Sequence, residues 1–384
     1  MNNFYYASPV HVYFGKNSLE TAFESELGKV GKNVMLAYGG GSIKRNGIYD
    51  QVVTLLKQYG KNILEFDGIM PNPTYEKVQE GAKIVNENQI DFILAVGGGS
   101  VIDCCKIISA QAKVSEGLWE REFGSHVLPT EGIPWGSVVT VTGTGAEMNN
   151  AAGITNEALN VKTAIHGTYA QFTVLDPSYT MTVPFEQFLS GAFDTLSHCM
   201  ETYFGKNENV SDDMNEAVMR DIIKNIRKAV LDPSDEEARS ELAWMSSLAE
   251  NGILRLGKVT DFQCHSIEHQ LCAYTNCNHG KALAVLHPVV YRHIYKNNPS
   301  AFARFARNVW GIGNDQPDKE AALMGIQALG DFIAELKLPQ SFTDLGLEVS
   351  DETLMTIAQT CRISQGCMKQ LSPEEILEIL KECR

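Results

Sequence analysis

Up to about Thr182 the chain alternates short apolar, β-branched runs with stretches of helical period. Residues 10–15 (VHVYFG), 33–39 (NVMLAYG), 62–68 (NILEFDG), 91–99 (DFILAVGGG) and 136–143 (GSVVTVTG) predict strands. Between them, residues 46–60 and 74–89 repeat apolar positions three and four apart and predict amphipathic helices. Such alternation implies a mostly parallel sheet covered on both faces. After Thr182 the period is helical in residues 183–204, 211–231, 234–257 and the later segments. Ser211, Ser234 and the terminal SPEEILEIL, with Pro373 at its first helical position, are the expected helix starts. The reading is therefore an α/β N-terminal domain with a Rossmann-like parallel sheet, residues 1–184, followed by an all-α C-terminal domain, residues 185–384.

A chain of 384 residues exceeds one ordinary core, which agrees with two domains. The net charge of −15 argues against nucleic acid or an anionic membrane as partner. No apolar run approaches the roughly 18 residues of a membrane span. The first residues lack a basic, apolar leader and read as a strand, so a cytoplasmic location is expected. Nine cysteines are expected to be reduced core thiols. Cys272 and Cys277 are set aside as too widely spaced for a zinc knuckle.

Candidate chemistry concentrates in the helical half. Asp194 and His198 lie four residues apart in GAFDTLSHCMETYF, on one helix face, among Ala192, Phe193, Leu196 and Met200. His265 and His279 flank HSIEHQLCAYTNCNH, which carries His269 between them. One carboxylate and three imidazoles suit a divalent cation such as Fe²⁺ or Zn²⁺ and leave a position open for a substrate oxygen. An Asp/His pair one turn apart also reads as a surface hydrogen bond, but a charge among apolar neighbours would need compensation.

Two GGGS turns follow predicted strands and precede predicted helices: Gly39, Gly40, Gly41 and Ser42, then Gly97, Gly98, Gly99 and Ser100. Such junctions offer backbone amides and a helix dipole to a diphosphate, although neither matches the G-x-G-x-x-G fingerprint. A third junction, residues 140–147 (TVTGTGAE), supplies threonine hydroxyls that suit ribose and diphosphate oxygens, or simply cap the next helix. Lys162, taken alone, reads as a solvated loop lysine.

With the two GGGS turns, GTGAE, DTLSH and HSIEHQLCAYTNCNHGKALAVLHP in this order, the chain resembles the iron-dependent (group III) alcohol dehydrogenases, in particular their butanol dehydrogenase and broad-range aldehyde reductase branch. The resemblance implies a dehydroquinate synthase-like architecture, with a dinucleotide-binding N-terminal domain and a helical metal-binding and substrate domain. It implies metal ligands at Asp194, His198, His265 and His279, and a catalytic role for His269 near nicotinamide and substrate. It implies diphosphate contacts at Gly97, Gly98, Gly99 and Ser100 with Asp103 following, and ribose and nicotinamide contacts at Thr140, Thr142 and Lys162. The segment DWATH common in this branch reads Asp261, Phe262, Gln263, Cys264, His265 here, which alters the neighbours of one ligand. A homodimer is also implied.

Residues 39–45 hold no acid to repel a 2′-phosphate, while Ser42, Lys44 and Arg45 can donate to one, so NADP(H) is expected over NAD(H). The expected reaction is hydride transfer between nicotinamide and a small primary alcohol or aldehyde of the butanol or butyraldehyde kind. The alternatives are a non-redox lyase or cyclase on the same scaffold and a non-catalytic nucleotide sensor. A lyase for polar substrates would want several cations near the ligands, and between His265 and Pro288 there is Lys281.

Overall fold

The computed structural model describes residues 1–363 and 367–384. The chain divides into two compact units. One holds residues 7–188 and 234–251; the other holds residues 1–6, 189–233 and 252–384. Neither is a single stretch, unlike the one boundary at residue 184 that the sequence pattern suggests.

The first unit is built on a six-stranded sheet. Its strands are β1 (His11–Phe14), β2 (Asn33–Tyr38), β3 (Asn62–Phe66), β4 (Phe92–Gly97), β5 (Trp135–Val139) and β8 (Phe172–Leu175), all paired in parallel in the order β1-β8-β5-β4-β2-β3. The five strands expected from the pattern are present. β6 (Ala151–Asn156) and β7 (Val161–His166) form a separate antiparallel pair. β2 and β4 read as unbroken apolar runs because both faces of the sheet are covered, and their central residues are fully buried. One apolar cluster gathers Met35, Ile93 and Trp135 on one side, and another gathers Leu36, Leu94 and Phe172 on the other. Strand order reverses between β2 and β4: β2 leads outward to β3, whereas β4 leads the opposite way to β5. In open parallel sheets, ligands bind outside the carboxyl ends of the strands at such a reversal. Both GGGS turns follow those two strands. Helix α1 (Gly99–Gln111) leaves the second.

Helix α2 (Phe185–Tyr203) begins in this unit and continues into the other. Helix α3 (Glu236–Glu250) belongs to the α/β unit, where its Ser246 Oγ accepts the amides of Gly143 at 2.8 Å and Gly145 at 3.2 Å. Its N-cap is Asp235 rather than Ser234, accepting from the Ala238 amide at 2.9 Å. Gly145 turns with φ 55°, a left-handed conformation that glycine adopts without steric cost.

The second unit is helical among the described residues. It includes α4 (Gln263–Thr275), α5 (His279–Ile294) and the helix Val210–Leu231, whose cap is an Asn209/Asp212 capping box rather than Ser211. The expected cap at Ser372 forms a second capping box, with Glu375, and Pro373 opens that helix. The first six residues are not a strand; the Asn2 amide donates to the Gly257 carbonyl at 3.1 Å. No helix among the described residues is long and apolar enough to cross a membrane.

Candidate metal centre and cofactor turns

The helical period of α2 puts Asp194 and His198 on one face, and both are buried. α4 contributes His265, and α5 begins at His279. Their side chains meet at one atom. Asp194 Oδ1 lies 3.4 Å from His279 Nε2, 3.5 Å from His265 Nε2 and 3.9 Å from His198 Nδ1. Bonds of 2.0–2.2 Å around a tetrahedral ion put its ligand atoms about 3.4 Å apart. Asp194 Oδ1 and His265 Nε2 are buried and have no hydrogen-bond partner. An unpaired buried carboxylate oxygen facing an unpaired imidazole nitrogen is costly unless something sits between them. These residues therefore fit a divalent cation.

Two further carboxylates aim the imidazoles. Glu201, one turn beyond His198 on α2, hydrogen-bonds His265 Nδ1 and also accepts the amides of Cys264 at 2.6 Å and His265 at 3.2 Å. Glu268, one turn beyond His265 on α4, lies 2.5 Å from His279 Nδ1. Each pairing turns the other ring nitrogen, Nε2, toward Asp194 and fixes the tautomer. Burial works against charging the rings, yet Glu201 and Asp194 push His265 up to about 10, and Glu268 and Asp194 push His279 up to about 9. Burial would likewise raise Asp194, but His198 and His279 hold it well below the usual carboxylate range. The cluster demands positive charge. Neither glutamate was among the expected site residues, although both stand at helical spacing from a candidate ligand with the acid type that steers imidazoles.

His269 is half-buried beside the ligands, its ring centroid 5.6 Å from that of His279 and 6.0 Å from that of His265. Phe262, in place of the branch's usual tryptophan, adopts φ 54° and packs its ring 5.3 Å from His265 and 6.2 Å from His198. His287 is fully buried with Nε2 2.5 Å from Ser197 Oγ, and burial pushes it down to about 4.

In the α/β unit, the two GGGS turns stand at the strand-order reversal, and no side chain caps the N-terminus of α1. A Cβ on Gly99 would sit 2.5 Å from Thr144 Oγ1, so the turn carrying Thr140 and Thr142 packs directly on the second glycine turn. The Thr140 amide donates to the Gly97 carbonyl at 2.9 Å. Asp103, on α1, accepts the Gly153 amide at 2.9 Å and lies 3.6 Å from the fully buried Lys106, while burial raises its carboxyl. Lys162 is a buried residue of β7, and its Nζ donates to Asn72 Oδ1 at 3.0 Å; it is not a solvated loop lysine. At the first turn, Lys44 pairs with Glu65 at 3.1 Å and stacks over the rings of Tyr38 and Tyr49. Glu65 also accepts from both tyrosine hydroxyls, which pull it down to about 2.

A glycine-turn parallel sheet in one unit and an Asp/His₃ cluster in the other define a metal-dependent, nucleotide-linked enzyme. Residues 9–177 match the family described as iron-containing alcohol dehydrogenase, and residues 188–383 match the description Fe-containing alcohol dehydrogenase family, C-terminal. The chain belongs to the iron-containing alcohol dehydrogenase family. NADH-dependent butanol dehydrogenase A of Clostridium acetobutylicum is 37% identical over 390 residues, covering 100% of both chains. NADPH-dependent aldehyde reductase YqhD of Escherichia coli is 35% identical over 364 residues, covering 91% of both. Among solved structures, NADH-dependent butanol dehydrogenase A from Thermotoga maritima superposes with a TM-score of 0.93 at 33% identity, covering 100% of this chain and 99% of that one. The architecture is dehydroquinate synthase-like, and the chain is a metal-dependent, nicotinamide-linked oxidoreductase; none of these matches supports a lyase.

Proposed function

We propose that the chain interconverts small primary alcohols and aldehydes of the butanol and butyraldehyde kind. The observation that carries this is the convergence of three imidazoles on the buried, unpartnered Asp194 Oδ1. Asp194, His198, His265 and His279 would hold one Fe²⁺ or Zn²⁺, which when bound supplies Lewis acidity toward an alcohol or carbonyl oxygen. A nicotinamide coenzyme supplies or accepts the hydride. Gly97, Gly98, Gly99 and Ser100 would take the diphosphate on uncapped backbone at the start of α1, and Gly39, Gly40, Gly41 and Ser42 the adenosine side. Thr140, Thr142, Asp103 and Lys162 complete that pocket in this reading. Glu201 and Glu268 keep His265 and His279 in one tautomer and orientation. His269, beside the proposed ligands, would exchange the proton that accompanies hydride transfer. Phe262 would cover His198 and His265 from water.

NADP(H) is the proposed preference, on the absence of an acid in residues 39–45 and the exposed Arg45. Because Glu65 already neutralises Lys44, Arg45 and the backbone must supply most of the discrimination. The Clostridium and Escherichia relatives are named for NADH and NADPH respectively, and the assay has to separate the two. A cytoplasmic homodimer is part of the proposal; none of the described cysteines is in a disulfide, which accords with a reducing compartment. The test is butyraldehyde reduction with NADPH or NADH on metal-quantified protein, before chelation, after it, and after Fe²⁺ or Zn²⁺ is restored. Turnover should vanish with the metal and return with it. Full turnover in metal-free protein overturns the assignment.

A further inference from the structure

Cys272 and Cys277 look too far apart in sequence to act together, but the backbone between them reverses. α4 ends at Thr275, Asn276 turns with φ 50°, and its amide closes on the Cys272 carbonyl at 2.8 Å. That left-handed residue folds Cys277 back over the last turn of α4, where Cys272 Sγ donates to the Cys277 carbonyl at 3.5 Å. Glu268 stands one turn before Cys272 on the same helix. The two sulfurs and a Glu268 carboxylate oxygen lie within 4.8 Å of one another, and all three residues are buried. Zinc–sulfur bonds of 2.3 Å put two tetrahedral sulfur ligands about 3.8 Å apart, so the two sulfurs need to close by at most about 1 Å to share an ion.

We propose that Cys272, Cys277 and Glu268 form a second metal site, selective for a soft divalent cation of the zinc class. Its chemistry differs from that of the Asp/His₃ cluster. Two thiolates favour Zn²⁺, whereas imidazole and carboxylate accept a wider range of metals, iron included. Binding releases the two thiol protons and leaves a fourth position for water. The two sites share one side chain, because Glu268 also orients His279 through Nδ1. An ion on the cysteine pair draws on that carboxylate and loosens His279, so zinc beyond the first equivalent lowers the affinity of the first site. Both cysteines are buried and neither is in a disulfide. This inference rests on the proposed function only for that last coupling; the site itself stands on its own three side chains.

The test is a cobalt titration of the purified full chain in anaerobic, phosphine-reduced buffer. Two equivalents should bind, and one of them should bring a thiolate-to-cobalt charge-transfer band in the near ultraviolet, which an Asp/His₃ site cannot produce. Cys272→Ala combined with Cys277→Ala should remove that band and one equivalent, keeping the other. His265→Ala should do the reverse, losing the equivalent without the band. X-ray absorption of zinc-loaded wild-type protein needs no variant, and should show sulfur scatterers near about 2.3 Å at two equivalents. A single equivalent with nitrogen and oxygen ligands alone, or a sulfur band that survives both cysteine substitutions, overturns the second site. Loss of the band-free equivalent from wild type counts against the Asp/His₃ reading instead.

Discussion

The two units build their candidate sites from different material. The helical unit uses side chains: an aspartate and three histidines from α2, α4 and α5 converge on one buried oxygen, and glutamates on α2 and α4 aim two of the rings. The α/β unit uses mainly backbone: glycine turns at the ends of β2 and β4, an uncapped helix start, and a threonine turn packed against Gly99. A side-chain site announces its chemistry through residue type, since carboxylate and imidazole have few reasons to be buried together. A backbone site announces only that something must come close. The same contrast predicts how each fails when altered.

The largest effect should come from Asp194, the atom on which the three imidazoles converge. Asp194→Ala removes the proposed anionic ligand and leaves three imidazoles, two of them buried, around a void. Metal content by elemental analysis should fall to background. Turnover should fall by about a thousandfold or more, since Lewis-acid stabilisation amounts to several kcal/mol. Coenzyme binding, read by fluorescence titration, should persist because its turns belong to the other unit. Stoichiometric metal in this variant would break the contrast.

A smaller effect should follow from Glu201→Gln. The amide oxygen can still accept the Cys264 N–H and so preserve the start of α4, but the negative charge behind His265 is gone. Metal affinity, measured by competition with a chelator, should drop about 10–100-fold, as for other partners of metal-bound histidines. Thermal stability without added metal should change far less. An unaltered affinity would reduce Glu201 to a helix cap.

Legibility in the sequence followed the same division. Asp194 and His198 stood out because residue type and helical spacing agreed, His265 and His279 because they flank one His-rich segment and match the family resemblance; the structure brings all four together. Glu201 and Glu268 escaped, although each lies one turn past a candidate ligand, because an acid in a long amphipathic helix ordinarily faces water. α3 was placed with the helical unit because its period shows an apolar face without saying which core receives it; Ser246 settles that through two glycine amides 103 and 101 residues earlier in the chain. β6 and β7 went unseen because their connection contains no glycine or proline, its left-handed position being filled by Asn160 with φ 51°. Lys162 consequently looked like a loop residue. Coenzyme choice was least legible: Lys44 seemed available for a 2′-phosphate until Glu65, 21 positions later in sequence, proved to be its partner.

The backbone site yields the subtlest test. Gly99→Ala adds one carbon where Thr144 Oγ1 would be 2.5 Å away, Cγ2 2.8 Å and Cβ 3.1 Å. Those atoms belong to a short, stiff side chain on a turn pinned by Ser246, so they have little room to yield. Overpacking of this kind costs about 1–3 kcal/mol, against at most about 1 kcal/mol gained by replacing glycine with alanine in a helix. The variant should therefore be less stable, and its KM for coenzyme should rise as the two turns are pushed apart. Metal content should not change, which is what separates this failure from that of Asp194→Ala. Adding Thr144→Ala removes Oγ1 and Cγ2 from the clash. If close packing is the cause, the double variant should recover most of the stability that Gly99→Ala alone loses. If it instead loses the sum of the two single effects, the contact with Thr144 is not the cause.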